Sequence, residues 1–149
     1  MEIREVNAAE SDLTAFAELS ADWEQEEITW GLRANKPEEL VSMRVFGAYE
    51  SGKLVGYISA TAFKTERPYS MAPNAGTPCW EIEELYVIPE LRSRGIGRQL
   101  YAYAENAAKR DGAEMLFLST ATKDYKRILH FYIDEMGMDF WTARLFKKL

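Results

Sequence analysis

Glu81-Ile82-Glu83-Glu84-Leu85-Tyr86-Val87-Ile88-Pro89-Glu90-Leu91-Arg92-Ser93-Arg94-Gly95-Ile96-Gly97-Arg98 is the stretch whose reading decides the architecture. Glu81 to Ile88 reads as a strand, stopped by Pro89. From Gly95 onward Ile96, Leu100, Tyr103, Ala104 and Ala107 form one apolar helical stripe, and Gly112 supplies the stop. The turn between strand and helix carries Arg92-x-x-Gly95-x-Gly97. Glycines let a backbone come close to a ligand, and a first helical turn aims unpaired N–H groups and the positive dipole end at one point. An anion belongs there, with Arg92, Arg94 and Arg98 adding charge. Arginines can also simply sit in solvent. In a first helical turn, however, each opposes the dipole by about 0.3–1 kcal/mol unless an anion is bound.

Two common phosphate sites are excluded. No Lys-Ser or Lys-Thr follows the second glycine, so the triphosphate-binding P-loop is missing. The dinucleotide pattern needs a glycine where Leu100 stands.

Working outward, Met115 to Leu118 is a continuous apolar run, as for a strand covered on both faces, and strand, helix and strand make a right-handed parallel crossover. Asp124 to Glu135 reads as a second helix stopped by Gly137, and Met138 to Phe146 as a closing strand. Upstream, Ile3 and Val6 mark an opening strand, and Asp12 to Leu19 a helix running on through Trp23. Pro37 opens a short helix over Glu38 to Met43. Arg44 to Tyr49 and Leu54 to Phe63 form a hairpin through Gly52. Thr65 to Pro78, with three prolines and no periodicity, reads as a binding loop, a lid or a flexible bulge.

The 149 residues fit one domain spanning 1–149, and a composition 47% hydrophobic and 28% charged predicts a packed globule. A net charge of -6 argues against nucleic acid as a partner. The lone Cys79 can form no internal disulfide and reads as apolar filler compatible with a reducing compartment. Met1 to Glu10 has no apolar signal core, and no run approaches the ~18 apolar residues of a membrane span. The expectation is a cytoplasmic protein without membrane contact.

Leu85-Tyr86-Val87-x-Pro89 followed by Arg92-x-x-Gly95-x-Gly97 resembles the acetyl-CoA signature of the GNAT superfamily of N-acetyltransferases. His130-Phe131-Tyr132 followed by Gly137-Met138 resembles that family's closing helix motif. The resemblance implies an α/β fold: a mixed, mostly antiparallel, splayed sheet flanked by helices on both faces. It implies acetyl-CoA as cosubstrate, no metal, and transfer of the acetyl group to an amine by direct attack. Backbone groups of Leu85, Tyr86 and Val87 would hold the pantetheine arm. Arg92 and the amides of Ser93, Arg94, Gly95, Ile96, Gly97 and Arg98 would hold the pyrophosphate. Tyr132 matches the family's general acid, since a phenol of pKa ~10 is protonated at neutral pH and can protonate a thiolate. One departure stands out: Tyr125 occupies the place of the family's pantetheine-contacting asparagine, with Lys123 nearby as a substitute.

The acceptor amine must lose a proton, and Glu81, Glu83 and Glu84 are candidates, Glu81 first because it lies at the family's spacing before the arginine-glycine turn. Alternation puts Glu81 and Glu83 on one face and Glu84 on the other; a bulge of the kind the family often carries would break that parity. His130 and Tyr132, two apart on a helix, cannot easily share a site, so His130 reads as a surface or packing residue. Trp30 and Glu83 are the candidate acceptor contacts, with Glu24, Glu26, Glu27 and Trp23 supplying an acidic, aromatic surround for a cationic small-molecule or peptide amine. A homodimer stays open. The alternative to an enzyme is a non-catalytic acyl-CoA-binding domain of the same fold.

Overall fold

Trp80, Tyr57, Phe46 and Ile58 are fully buried at the centre of a five-stranded sheet with a separate core on each face. The computed structural model describes residues 1–149. The strands β1 (Glu2–Val6), β2 (Arg44–Glu50), β3 (Lys53–Lys64), β4 (Pro78–Val87) and β5 (Met115–Leu118) lie side by side in chain order. All neighbours are antiparallel except β4 and β5, which are parallel. β2 and β3 are joined through Ser51 (φ 50) and Gly52 (φ 79), and a two-residue link with both φ positive matches the twist of its strands.

Helix α1 (Thr14–Gln25) starts where the Asp12 carboxylate accepts the Thr14 N–H at 2.9 Å. With α2 (Pro37–Leu40) it covers one face, where Phe16, Leu19 and Leu40 pack on Val45, Leu54, Tyr57 and Tyr86. Helix α3 (Ile96–Arg110) covers the other, setting Leu100, Tyr101, Ala104 and Ala108 on Phe46, Ile58, Ala60, Trp80 and Ile82. Tyr101, not the expected Tyr103, belongs to the buried stripe: Ile96, Leu100, Ala104 and Ala107 centre the face so that residue 101 flanks it inward while Tyr103 stays at the rim. Helix α4 (Tyr125–Leu129) continues as a π-helix over His130–Glu135 and brings Tyr132 and Met136 against the α3-side core. No helix is long and apolar enough to cross a membrane.

A bulge divides β4. Ser59 faces Glu84 but Ala60 faces Ile82, leaving Glu83 as the extra residue. Even-numbered Trp80 and Ile82 therefore point toward α3, yet beyond the bulge odd-numbered Leu85 and Val87 do so. Opposite them Glu84 and Tyr86 turn toward α1. β3 and β4 also approach closely there, since a Cβ on Gly56 would lie 2.7 Å from the Tyr86 carbonyl oxygen.

Two further expectations need correction. Met138 to Phe146 forms no strand. Its rings take the place of a ladder, Trp141 packing on Phe117 and Tyr69, and Phe146 on Trp30, while Phe140 stays 58% and Leu145 91% exposed. β5 is accordingly half-buried instead of covered on both faces. Thr65 to Pro78 is pinched shut at its base, where Thr65 N–H donates to Thr77 O and Thr77 N–H to Thr65 Oγ1, each at 3.0 Å.

Trp80→Ala should cost about 3–5 kcal/mol of unfolding free energy in urea titration, as for large-to-small changes in a packed core. Phe140→Ala should stay within about 0.5 kcal/mol, like other surface changes. A large loss at Phe140 would mean that the C-terminal segment is part of the core.

Candidate active site

β5 pairs with β4 only from Cys79 to Ile82. Beyond Ile82, β4 keeps β3 on one edge but has no strand on the other, so Glu83 to Val87 border an open wedge. The chain then passes a 3₁₀ turn over Pro89–Leu91 and reaches Ser93 (φ 62) and Gly95 (φ 80), both left-handed. None of the N–H groups from Ser93 to Arg98 meets an acceptor within the protein. Amides in such a turn, at the start of a 15-residue helix, form a concave nest with the positive dipole end behind it. Space in front of Gly95 is open to 4 Å around a built Cβ, and that of Gly97 would meet only the Phe131 ring, at 3.8 Å. The residues present thus fit a diphosphate-sized anion lying on the turn.

The arginines divide. Arg92 does not face the nest: its guanidinium forks onto Glu26 at 2.7 and 2.8 Å, and its Nε–H donates to the Val87 carbonyl at 2.8 Å. Arg98 pairs with Glu135 at 2.6 Å. Arg94 has no ion pair and remains available to a bound anion. The anion that cations near a helix start call for is thus partly the protein's own carboxylates.

Tyr132 lies on the α4 side, its ring 6.2 Å from Tyr101 and edge-on to Phe131 at 5.0 Å. The wide π-turn, closed by Met136 N–H to Phe131 O at 3.0 Å, sets this orientation. Burial, with Tyr101 adding to it, pushes the Tyr132 phenol above its ordinary range, so it keeps its proton at neutral pH. His130 is exposed and turned to Asp134 at 2.8 Å, a surface histidine.

The three glutamates have different surroundings. Glu81 stands opposite Phe117, at the last paired stretch of β4, and is half-buried. Burial first, and the charge of Glu83 second, raise its carboxyl above the usual range. Glu83 is exposed on the bulge. Glu84 is 6% exposed and accepts the Tyr57 O–H at 2.5 Å and the Ser20 O–H at 3.2 Å, so it braces the α1 face.

Of the aromatic surround, Trp23 stacks on Tyr86 at 5.6 Å and Trp30 is 53% exposed. The Trp30 face carries Lys123, whose Nζ lies 4.4 Å from the ring centre, so Lys123 is turned to Trp30. Tyr125 is exposed. Residues 28–30 run beside 121–123: Trp30 N–H donates to Ala121 O and Lys123 N–H to Ile28 O, each at 2.9 Å, with Thr29 bridging Thr122. Sequence reading missed this pairing and the Glu26–Arg92 fork, both long-range contacts between segments without a shared period.

Residues 6–138 match the family model of the acetyltransferase (GNAT) family. The chain belongs to that family. Among curated proteins this GNAT chain is 48% identical over 56 residues to an aminoalkylphosphonate N-acetyltransferase of Salmonella typhimurium, a match taking in 37% of the chain and 35% of that protein. An aminoglycoside N-acetyltransferase in complex with CoA superposes with a TM-score of 0.68 at 18% identity, over 99% of this chain and 98% of that one. An aminoglycoside acetyltransferase from an uncultured soil metagenomic sample, in complex with sisomicin, gives 0.71 at 21% over 99% and 95%. A ribosomal-protein-alanine N-acetyltransferase from Brucella melitensis gives 0.68 at 18% over 99% and 100%. At these identities the structures establish a shared fold.

Glu83→Gln removes the like charge beside Glu81, so Glu81 should titrate lower by carboxyl-carbon NMR while burial still holds it above the usual range. A folded pKa above the unfolded one means that ionising Glu81 works against folding as pH rises through it. The variant should therefore gain stability at pH 7 and none at pH 3. An unchanged Glu81 titration would contradict the coupling.

Proposed function

We propose that this GNAT protein catalyses acetyl transfer from acetyl-CoA to an amine acceptor, a small molecule or a peptide, by direct attack. The observation that supports the reading is the amide nest from Ser93 to Arg98, unpaired within the protein, at the end of a β4 edge that no strand covers beyond Ile82. Acetyl-CoA supplies the activated acetyl group as a thioester. The nest and Arg94 bind the diphosphate, and the open β4 edge at Leu85 to Val87 offers main-chain groups to the amide-bearing pantetheine arm. A backbone N–H near Val87 steadies negative charge developing on the carbonyl oxygen. Tyr132, protonated at neutral pH as a phenol, gives its proton to the departing thiolate.

Glu81 takes the acceptor's proton, directly or through water, because its raised pKa places its basicity closer to neutral than that of a solvated carboxylate. Glu83 and the exposed part of Trp30 are the acceptor contacts. The relatives' names supply the first amines to try: aminoalkylphosphonates, aminoglycosides and alanine-bearing peptides of ribosomal proteins. The finer reading includes a single domain in a cytoplasmic setting, in keeping with the unpaired thiol of buried Cys79. It also includes a homodimer, for which Phe140, Leu145 and Phe146 offer exposed apolar surface and light scattering is the check.

Free thiol released from acetyl-CoA with each amine tests the activity. With a good acceptor, Tyr132→Phe should lower turnover by roughly 10²–10⁴ and leave acetyl-CoA affinity nearly unchanged. Wild-type turnover in that variant would assign the proton to another group, and no thiol release with any amine would overturn the reading.

A further inference from the structure

Glu26 lies 66 residues from Arg92 and ends up as the most heavily bonded carboxylate beside the wedge. It accepts an N–H from each of the two terminal guanidinium nitrogens of Arg92, and its Oε1 also accepts the Tyr86 O–H at 2.6 Å. Trp23, one turn earlier on α1, stacks on that same Tyr86 ring, and the Arg92 guanidinium lies 5.3 Å from its centre. Both partners are largely shielded, Arg92 at 25% and Glu26 at 20% side-chain exposure. This is a bidentate, partly desolvated pair with every oxygen used, unlike an exposed ion pair of little energetic weight.

Its location gives it a consequence for the reaction. Glu26 is the cap of α1, and the chain leaves it through Glu27 (φ 54) into residues 28–30, the stretch paired with 121–123 beyond β5. That stretch joins the α1 side to the far side of the wedge and carries Trp30. On the other side of the pair, Arg92 holds the Val87 carbonyl and opens the turn of the amide nest. One ion pair therefore ties the strap carrying Trp30 to both the β4 edge and the nest.

We infer that Glu26 is a positioning residue for acetyl transfer: through Arg92 it fixes the strap over residues 28–30, so that this arginine serves the acceptor side and contributes little to holding the diphosphate. The inference rests on the proposed acetyltransferase reading. A strap released from its anchor leaves the nest amides in place but lets the acceptor wall drift, and about 1 Å of misplacement can cost on the order of 10²-fold in rate.

The experiment compares wild type, Glu26→Gln, Arg92→Gln and the double variant. Calorimetry with acetyl-CoA should find Glu26→Gln within about threefold of wild type, and Arg92→Gln, which also gives up the bond to the Val87 carbonyl, weaker by less than tenfold. Hydrogen exchange of the Trp30 and Lys123 amides should quicken at least tenfold in both single variants, while the exchange of α3 stays unchanged. With the acceptor found for wild type, KM should rise at least tenfold in each single variant, and the double variant should be no worse than either, because both changes break one interaction. The Glu26→Arg, Arg92→Glu exchange should recover part of the loss.

The inference is overturned if Arg92→Gln weakens acetyl-CoA binding tenfold or more, which makes it a diphosphate ligand. It is equally overturned if Glu26→Gln folds with unchanged acceptor KM and unchanged exchange at Trp30 and Lys123. Failure of wild type to bind acetyl-CoA or release thiol would instead remove the underlying activity, so the two failures are told apart.

Discussion

One residue too many in β4 shapes everything on its C-terminal side. With Glu83 bulged out against β3, the strand bends and its side-chain parity reverses. Trp80 and Ile82 before the bulge, and Leu85 and Val87 after it, all reach the α3-side core, whereas an unbroken strand would have turned the second pair away. Glu84 and Tyr86 are thereby delivered to the α1 face, where Tyr57, Ser20 and Glu26 satisfy them. β5 stops pairing with β4 at Ile82, immediately before the bulged residue. The same irregularity thus provides the wedge, its free main-chain edge and the glutamates at its root.

What lines the wedge follows from where unsatisfied groups are left. Helix α3 ends with Gly112 (φ 83), and Ala113 N–H returns to Ala108 O at 3.0 Å, so its C-terminus is closed by the chain itself. At its other end Gly95 caps without a side-chain acceptor, and the amides of the preceding turn and the first helical turn stay unpaired. The dipole and the free donors therefore act together at one end only. Around that end the protein's own charges are arranged so that Glu26 and Glu135 hold Arg92 and Arg98 in fixed positions.

The strand, turn and helix from Glu81 to Arg110 were legible because their signals are local: a proline stop, two glycines and an apolar stripe. The closing motif at His130 to Gly137 was likewise readable, although its π-helical winding was not, since a five-residue hydrogen-bond spacing leaves no mark in a hydrophobic pattern. Arg92 was read as an anion ligand because it stands beside the glycine turn at the start of a helix; the carboxylate that claims it, Glu26, comes from a different element. Glu26 in turn was read, with Glu24 and Glu27, as part of the acidic surround of the acceptor, whereas its carboxylate is taken up by Arg92 and Tyr86. Met138 to Phe146 has the composition of a strand, yet it joins no ladder although β5 ends the sheet; side-chain packing on Phe117, Tyr69 and Trp30 holds the segment instead.

The central claim is that the amides from Ser93 to Arg98 receive the diphosphate of acetyl-CoA. The most direct measurement is a titration of ¹⁵N-labelled protein with acetyl-CoA, followed at those six amides in the ¹H–¹⁵N correlation spectrum. The account predicts saturable downfield proton shifts that are largest for Ser93 to Arg98, as charge-assisted N–H donation to phosphate oxygens requires. Binding that leaves these amides unmoved, with the largest shifts elsewhere on the molecule, would contradict it.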